Sequence, residues 1–213
     1  MPRQLSPIDT LIAQMDQGLR TVFGKPDITE RPDPAKSMEE GELTSAEKNH
    51  AAALMRINHA GEIAAQALYQ GQALTARDES IKQQMQRSAQ EEYDHLDWCE
   101  KRVKALGSHT SYLNPLWYAG SLAIGALAGA IGDKWSLGFV VETENQVGQH
   151  LAGHLKQLPQ NDHKSRAVLQ QMDIDEAHHA ELARSAGAAN LPLPIKGLMR
   201  LTSKIMTKTA YKI

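Results

Sequence analysis

Two short motifs place a glutamate and a histidine one helical turn apart among apolar residues. The first is Glu92 with His95 in EEYDHLDWCEKRV, and the second is Glu176 with His179 in MDIDEAHHAELA. Residues three apart on a helix are neighbours on the same face, so both members of a pair can bind one metal ion. Each pair is therefore a candidate half of a metal site, whose meaning depends on which other acids reach it.

Two further glutamates, Glu62 and Glu144, also interrupt apolar faces. Glu62 shares a helical face with Met55 and Tyr69, and Glu144 lies within a stripe of leucine and valine residues. No lysine or arginine lies three or four residues from any of the four glutamates. Because an unpaired buried carboxylate is very costly, we expect all four to share a cationic partner.

Spacing brings the six residues to one level. In each half of the chain, a lone glutamate and a Glu-x-x-His motif are equally distant from a predicted turn, 15 residues on either side of Arg77 and 16 on either side of Gln160. At a helical rise of about 1.5 Å per residue, all four glutamates lie about 23 Å from their turns. This is the ligand pattern of a carboxylate-bridged di-metal site in a helical bundle. Four carboxylates offset the charge of two divalent ions, and oxygen-rich ligands with two imidazoles favour iron or manganese.

Capping signals and helical periodicity predict four long helices that hold these residues. The predicted helices run from Thr44 to about Ala76, from Asp78 to near Leu106, from Asp133 to Leu158, and from about Asp162 to Ala186. N-cap residues mark their starts, and Gly107 and Gly187 follow two of the ends. Since Glu47 completes a capping box with Thr44, we expect the pair Glu47 and His50 to serve the helix start and not a metal. The pattern predicts an all-α fold built on a four-helix bundle.

The first 43 residues carry different signals. Residues 6–23 begin with Ser-Pro and space their apolar side chains like a short helix. Residues 24–43 are proline-rich and are expected to form a tether rather than core. We therefore divide the chain into residues 1–43, a short helix with a linker, and residues 44–213, a helical-bundle domain that includes a C-terminal helix.

An uncharged segment separates the two predicted helix pairs. Residues 114–132, NPLWYAGSLAIGALAGAIG, reach the length of a membrane-spanning helix. A spanning helix would put the two pairs on opposite sides of the membrane, which a site shared between them forbids. We therefore expect a long apolar crossover helix that is either buried or lies in the membrane surface.

The C-terminal residues 194–212 predict an additional amphipathic helix. Basic residues recur at every fourth position: Lys196, Arg200, Lys204, Lys208 and Lys212. Such a stripe suits an anionic membrane surface. The alternative is a helix docked on the bundle with a solvated lysine stripe.

Composition favours one intracellular helical domain. The 213 residues are 41% apolar but only 5% aromatic, and their net charge of −2 gives no sign of a nucleic-acid partner. The single cysteine, Cys99, has no partner for an internal disulfide and is expected in the core. The N-terminal residues show no targeting pattern. We expect a bacterial-type protein bound peripherally on the cytoplasmic side of the cell membrane.

Four segments together resemble the demethoxyubiquinone (3-demethoxyubiquinol) hydroxylase family of ubiquinone biosynthesis, a ferritin-like di-iron group. They are LMRINHAGEIAAQALYQGQ, EEYDHLDWCEKRV, VVETENQVGQHL and DEAHHAELA, in the order and at the spacing of that family. Ferritins and manganese catalases share the ligand pattern but not the RINHAGE segment. A rubrerythrin-like protein would need cysteines for a second iron centre. The resemblance begins at about residue 44, and some relatives carry Asp at the position of Asn58.

The resemblance implies a metal centre and a reaction. The implied ligands of two iron ions per chain, Fe2+ in the O2-reactive state, are also the catalytic residues: Glu62, Glu92, His95, Glu144, Glu176 and His179. Glu176 and either Glu92 or Glu144 are the implied bridges. The implied reaction is O2-dependent hydroxylation of the ring of a polyprenylated demethoxyubiquinol. Its partners would be that quinol, O2, the membrane surface, an electron donor that the sequence does not identify, and other enzymes of ubiquinone biosynthesis.

Two other functions would use part of the same pattern. A ferritin-like iron-binding protein or ferroxidase would use the same ligands but would not need the apolar crossover. A membrane scaffold for quinone-biosynthesis enzymes would need no metal. Near the motifs, His59, Asp175 and His150 could support metal ligands or make ordinary structural hydrogen bonds. Arg56 could balance the linker acids or orient a substrate.

Overall fold

The computed structural model describes residues 6–24 and 31–213, and this part of the chain is all-helical, with seven α-helices and no strand. The helices are α1 (Pro7–Phe23), α2 (Ser45–Thr75), α3 (Glu79–Ala105), α4 (Asn114–Ile131), α5 (Asp133–Gln157), α6 (His163–Ser185) and α7 (Leu193–Ala210). α2 packs along α3, α5 packs along α6, and α3 also contacts α6. Short turns at 76–78 and 158–162 make each pair an antiparallel hairpin. The predicted all-α, ferritin-like bundle is confirmed.

Side-chain caps fix the starts of three bundle helices. Thr44 and Glu47 form the predicted capping box at α2, which confirms the structural role assigned to Glu47. Asp78 Oδ1 accepts from the backbone N–H of Ser80 at 2.8 Å. At α6, Asp162 plays the same part. These caps satisfy backbone donors that a helix start would otherwise leave unpaired.

The predicted cap at Asp133 is wrong. Asp133 is the first residue of α5, its N-cap is Gly132, and no side chain caps that start. The Asp133 carboxylate instead accepts from the backbone N–H groups of Arg77 and Asp78, at 3.0 and 2.9 Å. It thereby closes the α2–α3 turn. The sequence predicted a cap for α5 because sequence patterns show local contacts, whereas the turn that Asp133 contacts lies 55 residues earlier in the chain.

The described core contains three apolar clusters, and two of them lie along the bundle on either side of the level of the four glutamates. One cluster contains Leu54, Trp98, Val103, Leu151, Leu169 and Met172, and the other contains Tyr69, Met85, Leu137, Val140 and Ala183. On α2, α3, α5 and α6 the motif residues fall between these clusters. The bundle therefore surrounds a polar layer with apolar packing above and below it, which keeps water away.

The helix α4 connects the two hairpins and packs closely on α2. A Cβ added at Gly125 would lie 2.3 Å from the backbone oxygen of Leu68, so only glycine allows this approach. The opposite side of α4 exposes Leu116, Leu127 and Ile131. Across residues 6–24 and 31–213, every helix falls short of the length and apolarity that crossing a bilayer requires.

The N-terminal helix forms as predicted, with a capping box of Ser6 and Asp9. Its apolar residues Ile12, Met15 and Leu19 are exposed rather than packed in the core. Part of the predicted linker, residues 25–30 with Pro26, lies outside the described residues.

Residues 31–43, called here the N-terminal strap, differ from the expected tether. Ala35 is only 7% exposed and joins the core cluster near Trp98. Arg102 donates two hydrogen bonds to Glu40, at 3.0 and 2.9 Å. Low apolar content predicted a segment outside the core, but the buried Ala35 and the ion pair between Glu40 and Arg102 hold the strap against the bundle.

The C-terminal helix α7 docks on the bundle with its basic stripe partly inward. Lys196 Nζ lies 3.1 Å from Glu142 Oε2, and Arg200 Nη2 lies 3.6 Å from Glu142 Oε1. Leu198 and Leu201 point outward, with 61% and 56% of their surface exposed. α7 is thus docked on the bundle, as the alternative interpretation expected. Lys204, Lys208 and Lys212 of the stripe are exposed, whereas Lys196 and Arg200 pair with Glu142 of α5.

Candidate metal centre

The six residues selected from the sequence meet in the centre of the bundle. Four helices contribute them, and none is more than 3% exposed. They form two groups whose possible ligand atoms lie within 4.8 Å of one another: Glu62, Glu92, His95 and Glu176 in one group, and Glu92, Glu144, Glu176 and His179 in the other. Glu92 and Glu176 belong to both groups, Glu62 only to the first and Glu144 only to the second. The predicted convergence of the six side chains is thus present in the structure.

Each histidine turns one ring nitrogen toward the carboxylates of its group. His95 Nδ1 lies 3.0 Å from Glu92 Oε2, 3.2 Å from Glu176 Oε1 and 3.6 Å from Glu62 Oε2. His179 Nδ1 lies 3.2 Å from Glu176 Oε2 and 3.4 Å from Glu92 Oε1. Both rings therefore present Nδ1 as the candidate ligand atom.

The other nitrogen of each ring contacts a carboxylate outside the cluster. His95 Nε2 lies 2.9 Å from Asp175 Oδ2, and His179 Nε2 lies 2.7 Å from Glu91 Oε2. An acceptor at Nε2 holds the proton there and leaves the Nδ1 lone pair for a metal, which is how proteins usually orient histidine ligands. Both rings are therefore prepared for coordination.

In the metal-free cluster, burial and neighbouring carboxylates disfavour the charged form of two of the glutamates. Burial raises the pKa of Glu62 well above its usual range, and the Glu92 carboxylate raises it further. Burial, followed by the carboxylates of Glu176 and Glu92, also raises the pKa of Glu144 well above its usual range. Burial opposes charge on His95, but hydrogen bonds to Asp175 and the glutamates prevail and raise its pKa. Without metal, the cluster lowers its net charge by holding protons that bound cations would displace.

The residues fit a pair of divalent ions. Glu144 Oε2 is buried and has no hydrogen-bond partner in the described part of the chain, an arrangement that costs free energy unless a cation binds there. Among the described residues, the cationic groups within 4 Å of the four cluster glutamates are the two imidazoles. Two divalent ions would balance four carboxylates and leave the imidazoles neutral. The donor set of oxygen and imidazole suits iron or manganese.

The three residues considered as supports for metal ligands differ in their contacts with the cluster. Asp175 supports a cluster histidine, as one of its two interpretations required. His59 is buried and joins neither group, and burial, with a smaller effect of Lys104, lowers its pKa to about 4. His150 stacks on His154 with ring centroids 6.3 Å apart, away from the metal groups. His59 Nδ1 is buried without a hydrogen-bond partner among the described residues, so neither interpretation of His59 is confirmed.

Two other residues have structural roles. Arg56 donates to the backbone oxygen of His109 at 2.7 Å and to that of Tyr211 at 3.2 Å, so its contacts with the described residues are structural. It holds the end of α7 against the bundle. Cys99 is fully buried and its thiol lies 3.7 Å from Met172 Sδ, which confirms the expected core position.

Sequence reasoning missed Glu91, Arg31 and the hydroxyl of Tyr69. Glu91 precedes a cluster glutamate, but helical periodicity turns it toward solvent, and its role depends on a histidine 88 residues later. Arg31 donates to Asp175 across 144 residues, which no local pattern can show. The Tyr69 hydroxyl donates to Glu144 Oε1, and its position on the Glu62 face was the one available signal.

Comparison with known proteins is consistent with this geometry. Residues 49–210 match the family described as ubiquinone biosynthesis protein COQ7. The chain belongs to this family. The match spans α2 to α7 and so contains both groups of the candidate metal centre in this COQ7 family member.

Curated relatives extend the similarity over nearly the whole chain. This COQ7 family member is 56% identical to the 3-demethoxyubiquinol 3-hydroxylase of Nitrosococcus oceani over 211 residues, which are 99% of each chain. It is 56% identical to the protein of the same name from Polynucleobacter necessarius over 210 residues, 98% of this chain and 100% of the relative. The Chromobacterium violaceum protein of that name is 53% identical over 206 residues, 97% of this chain and 100% of the relative. The similarity therefore includes the N-terminal strap.

Proposed function

We propose that this protein is a di-iron monooxygenase that uses O2 to hydroxylate the ring of a polyprenylated demethoxyubiquinol, as a 3-demethoxyubiquinol 3-hydroxylase of ubiquinone biosynthesis. The observation that carries the proposal is the pair of buried Glu/His groups that share two glutamates. The curated relatives of the chain are named 3-demethoxyubiquinol 3-hydroxylase, which supports the same reaction. An oxidoreductase of the COQ7 family with a buried carboxylate and histidine cluster fits both facts.

In the proposal, the six cluster residues hold two iron ions. Glu62 and His95 would hold one ion, and Glu144 and His179 would hold the other. Glu92 and Glu176 would serve both ions, since only these two belong to both groups. This assigns the second bridge to Glu92 rather than Glu144. Bound as Fe2+, the pair would supply the electrons and the O2 chemistry that no protein side chain provides.

The chain's own residues orient the ligands and exclude water. Asp175 and Glu91 hold the protons at the Nε2 atoms of His95 and His179. The Tyr69 hydroxyl donates to Glu144 and fixes its carboxylate. The two apolar clusters of the core border the site, which strengthens each electrostatic contact and limits unproductive oxidation. Six side chains leave coordination positions open for O2 and for substrate.

We also propose that the protein reaches its substrate at a membrane surface, peripherally on the cytoplasmic side of the cell membrane. A polyprenylated quinol resides in lipid, and α4 and α7 both turn apolar side chains outward. The exposed lysines Lys204, Lys208 and Lys212 lie near the outward apolar side chains of α7 and suit anionic lipid headgroups. The division into residues 1–43 and a ferritin-like domain of residues 44–213 remains a proposal, as do the electron donor and other biosynthetic enzymes as partners.

Mass spectrometry of the quinol product tests the proposed reaction. The Fe2+-loaded protein is incubated with demethoxyubiquinol, a reductant and isotopically labelled O2. We expect one labelled oxygen atom in the ring, absent with Glu144→Ala and retained with Glu181→Ala, an exposed control on α6. Substrate that stays unlabelled while the protein takes up far more than two iron ions would favour the ferritin-like alternative. Full activity of Glu144→Ala would favour the metal-free scaffold.

A further inference from the structure

The two cluster histidines have similar support, but the arginines behind them come from different parts of the chain. Behind His179, Arg87 Nε donates to Glu91 Oε1 at 3.0 Å, and Glu91 Oε2 accepts from the ring. Arg87 and Glu91 are one turn apart on α3, and the Arg87 side chain is 56% exposed.

Behind His95, the arginine comes from the N-terminal strap. Arg31 Nη1 donates at 2.7 Å to Asp175 Oδ2, the same oxygen that lies 2.9 Å from His95 Nε2. Arg31 Nε also donates to Asp94 Oδ2 at 2.8 Å. Asp94 is on α3 and Asp175 is on α6, so one guanidinium joins the two hairpins of the bundle. Arg31 Cζ also lies 5.1 Å from the centroid of the Trp98 ring, which is a cation–π contact.

The strap itself is anchored, so Arg31 is not a freely moving surface side chain. Asp33 Oδ1 accepts from the backbone N–H of Ala35 at 2.8 Å and forms a turn directly after Arg31. The Ala35 side chain is buried in the core, and Glu40 binds Arg102 at the far end. These contacts hold the guanidinium over the two aspartates.

We infer that Arg31 is a positioning residue for the metal ion bound through His95, and that the N-terminal strap thereby contributes to that metal position. The inference rests on the proposed metal centre. Arg31 fixes the Asp175 carboxylate, Asp175 holds the proton on His95 Nε2, and Nδ1 is left to coordinate. Loss of such an outer support weakens metal binding by about 10- to 100-fold. Lysine keeps the charge but lacks the planar fork that reaches both aspartates.

Anaerobic titration of the metal-free full chain with Co2+ tests the inference, with Arg31→Gln, Arg31→Lys and the matched control Arg87→Gln. Competition with a chelator gives the two stepwise binding constants. Proton NMR of the Co2+ form shows the exchangeable Nε2–H of each bound histidine at a shifted position, and Asp175→Asn identifies the signal of His95. Far-UV circular dichroism checks that each variant is folded.

We expect Arg31→Gln to weaken one binding constant by about 10- to 100-fold and to speed solvent exchange of the His95 proton alone. Arg31→Lys should lie between this variant and the wild type, and Arg87→Gln, which lies behind the other histidine, should leave the exchange of the His95 proton at the wild-type rate. Equally fast exchange of the His95 proton in Arg31→Gln and Arg87→Gln would overturn the inference, as would unchanged constants and exchange in both Arg31 variants. A wild-type chain that binds no Co2+ would overturn the metal centre, and the inference with it.

Discussion

Replacing Glu144 by glutamine is expected to stabilise the metal-free protein and to weaken the metal-bound one. The candidate ligand atoms of Glu92, Glu144, Glu176 and His179 lie within 4.8 Å of one another. Two carboxylates at that separation repel by about 3.5 kcal/mol at an effective dielectric constant of about 20. If Glu144 instead keeps a proton at pH 7, a carboxyl with an ordinary pKa of 4.5 incurs a similar cost of about 3.4 kcal/mol.

Glutamine avoids either cost and keeps the hydrogen bond from Tyr69, because its amide oxygen still accepts from the hydroxyl. Because the imidazolium groups offset part of the repulsion, we expect a gain of about 1–3 kcal/mol in the free energy of unfolding without metal. With metal the sign reverses. A ligand at about 100 times its dissociation constant stabilises the native state by about 2.7 kcal/mol, and the variant loses much of this.

Guanidinium denaturation at pH 7, followed by far-UV circular dichroism, measures both effects. The wild type, Glu144→Gln and the exposed control Glu181→Gln are compared in a chelator and in excess Co2+. The control should match the wild type in both conditions, because 67% of its side-chain surface is exposed and it lies outside the cluster. A Glu144→Gln protein that is less stable than wild type in the chelator, or equally stabilised by Co2+, would refute the reasoning.

Three further substitutions test the framework around the centre. Arg102→Met should lower the free energy of unfolding, measured with denaturant, by about 3–5 kcal/mol, because it leaves the buried Asp162 carboxylate without the cation that lies 2.8 Å away. A decrease below about 1 kcal/mol would contradict this. Burial, and to a smaller extent nearby histidines, lowers the pKa of His154 from 6.5 to about 4. The neutral form of His154 therefore stabilises the fold above pH 6.5, and this stability is lost as the pH falls toward 4. His154→Gln should therefore remove about 2 kcal/mol of the stability change between pH 7 and pH 5, and an unchanged pH profile would refute the assignment. Gly125→Ala should force α4 away from α2 and lower the melting temperature, at a cost of about 1–3 kcal/mol. Gly120 has open space around it, so Gly120→Ala should be neutral or stabilising. Equal effects of the two substitutions would contradict the packing.

The features that sequence predicts well here are those set by local periodicity. Helix bounds follow from caps such as Thr44 and from apolar spacing, and the convergence of the six side chains follows from equal distances to two turns. An antiparallel hairpin converts sequence distance into height, so no tertiary information is needed for that step. A buried carboxylate that lacks a local cation was sufficient to indicate the site.

What the sequence does not predict depends on contacts between distant segments. Asp133 caps a turn 55 residues before it instead of its own helix, and Arg31 reaches Asp175 from a proline-rich segment. The inward pairing of Lys196 with Glu142 likewise depends on how α7 docks on α5. In each case, a charged residue has a good local interpretation, and the distant partner that overrides it appears only in the folded chain.

Anomalous X-ray diffraction at the iron edge, from crystals grown with Fe2+ without oxygen, tests the central claim most directly. The account predicts two peaks per chain in the polar layer of the bundle. One peak should lie among Glu62, Glu92, His95 and Glu176, and the other among Glu92, Glu144, Glu176 and His179. A single peak, or iron bound only outside these two groups, would contradict the proposed di-iron centre.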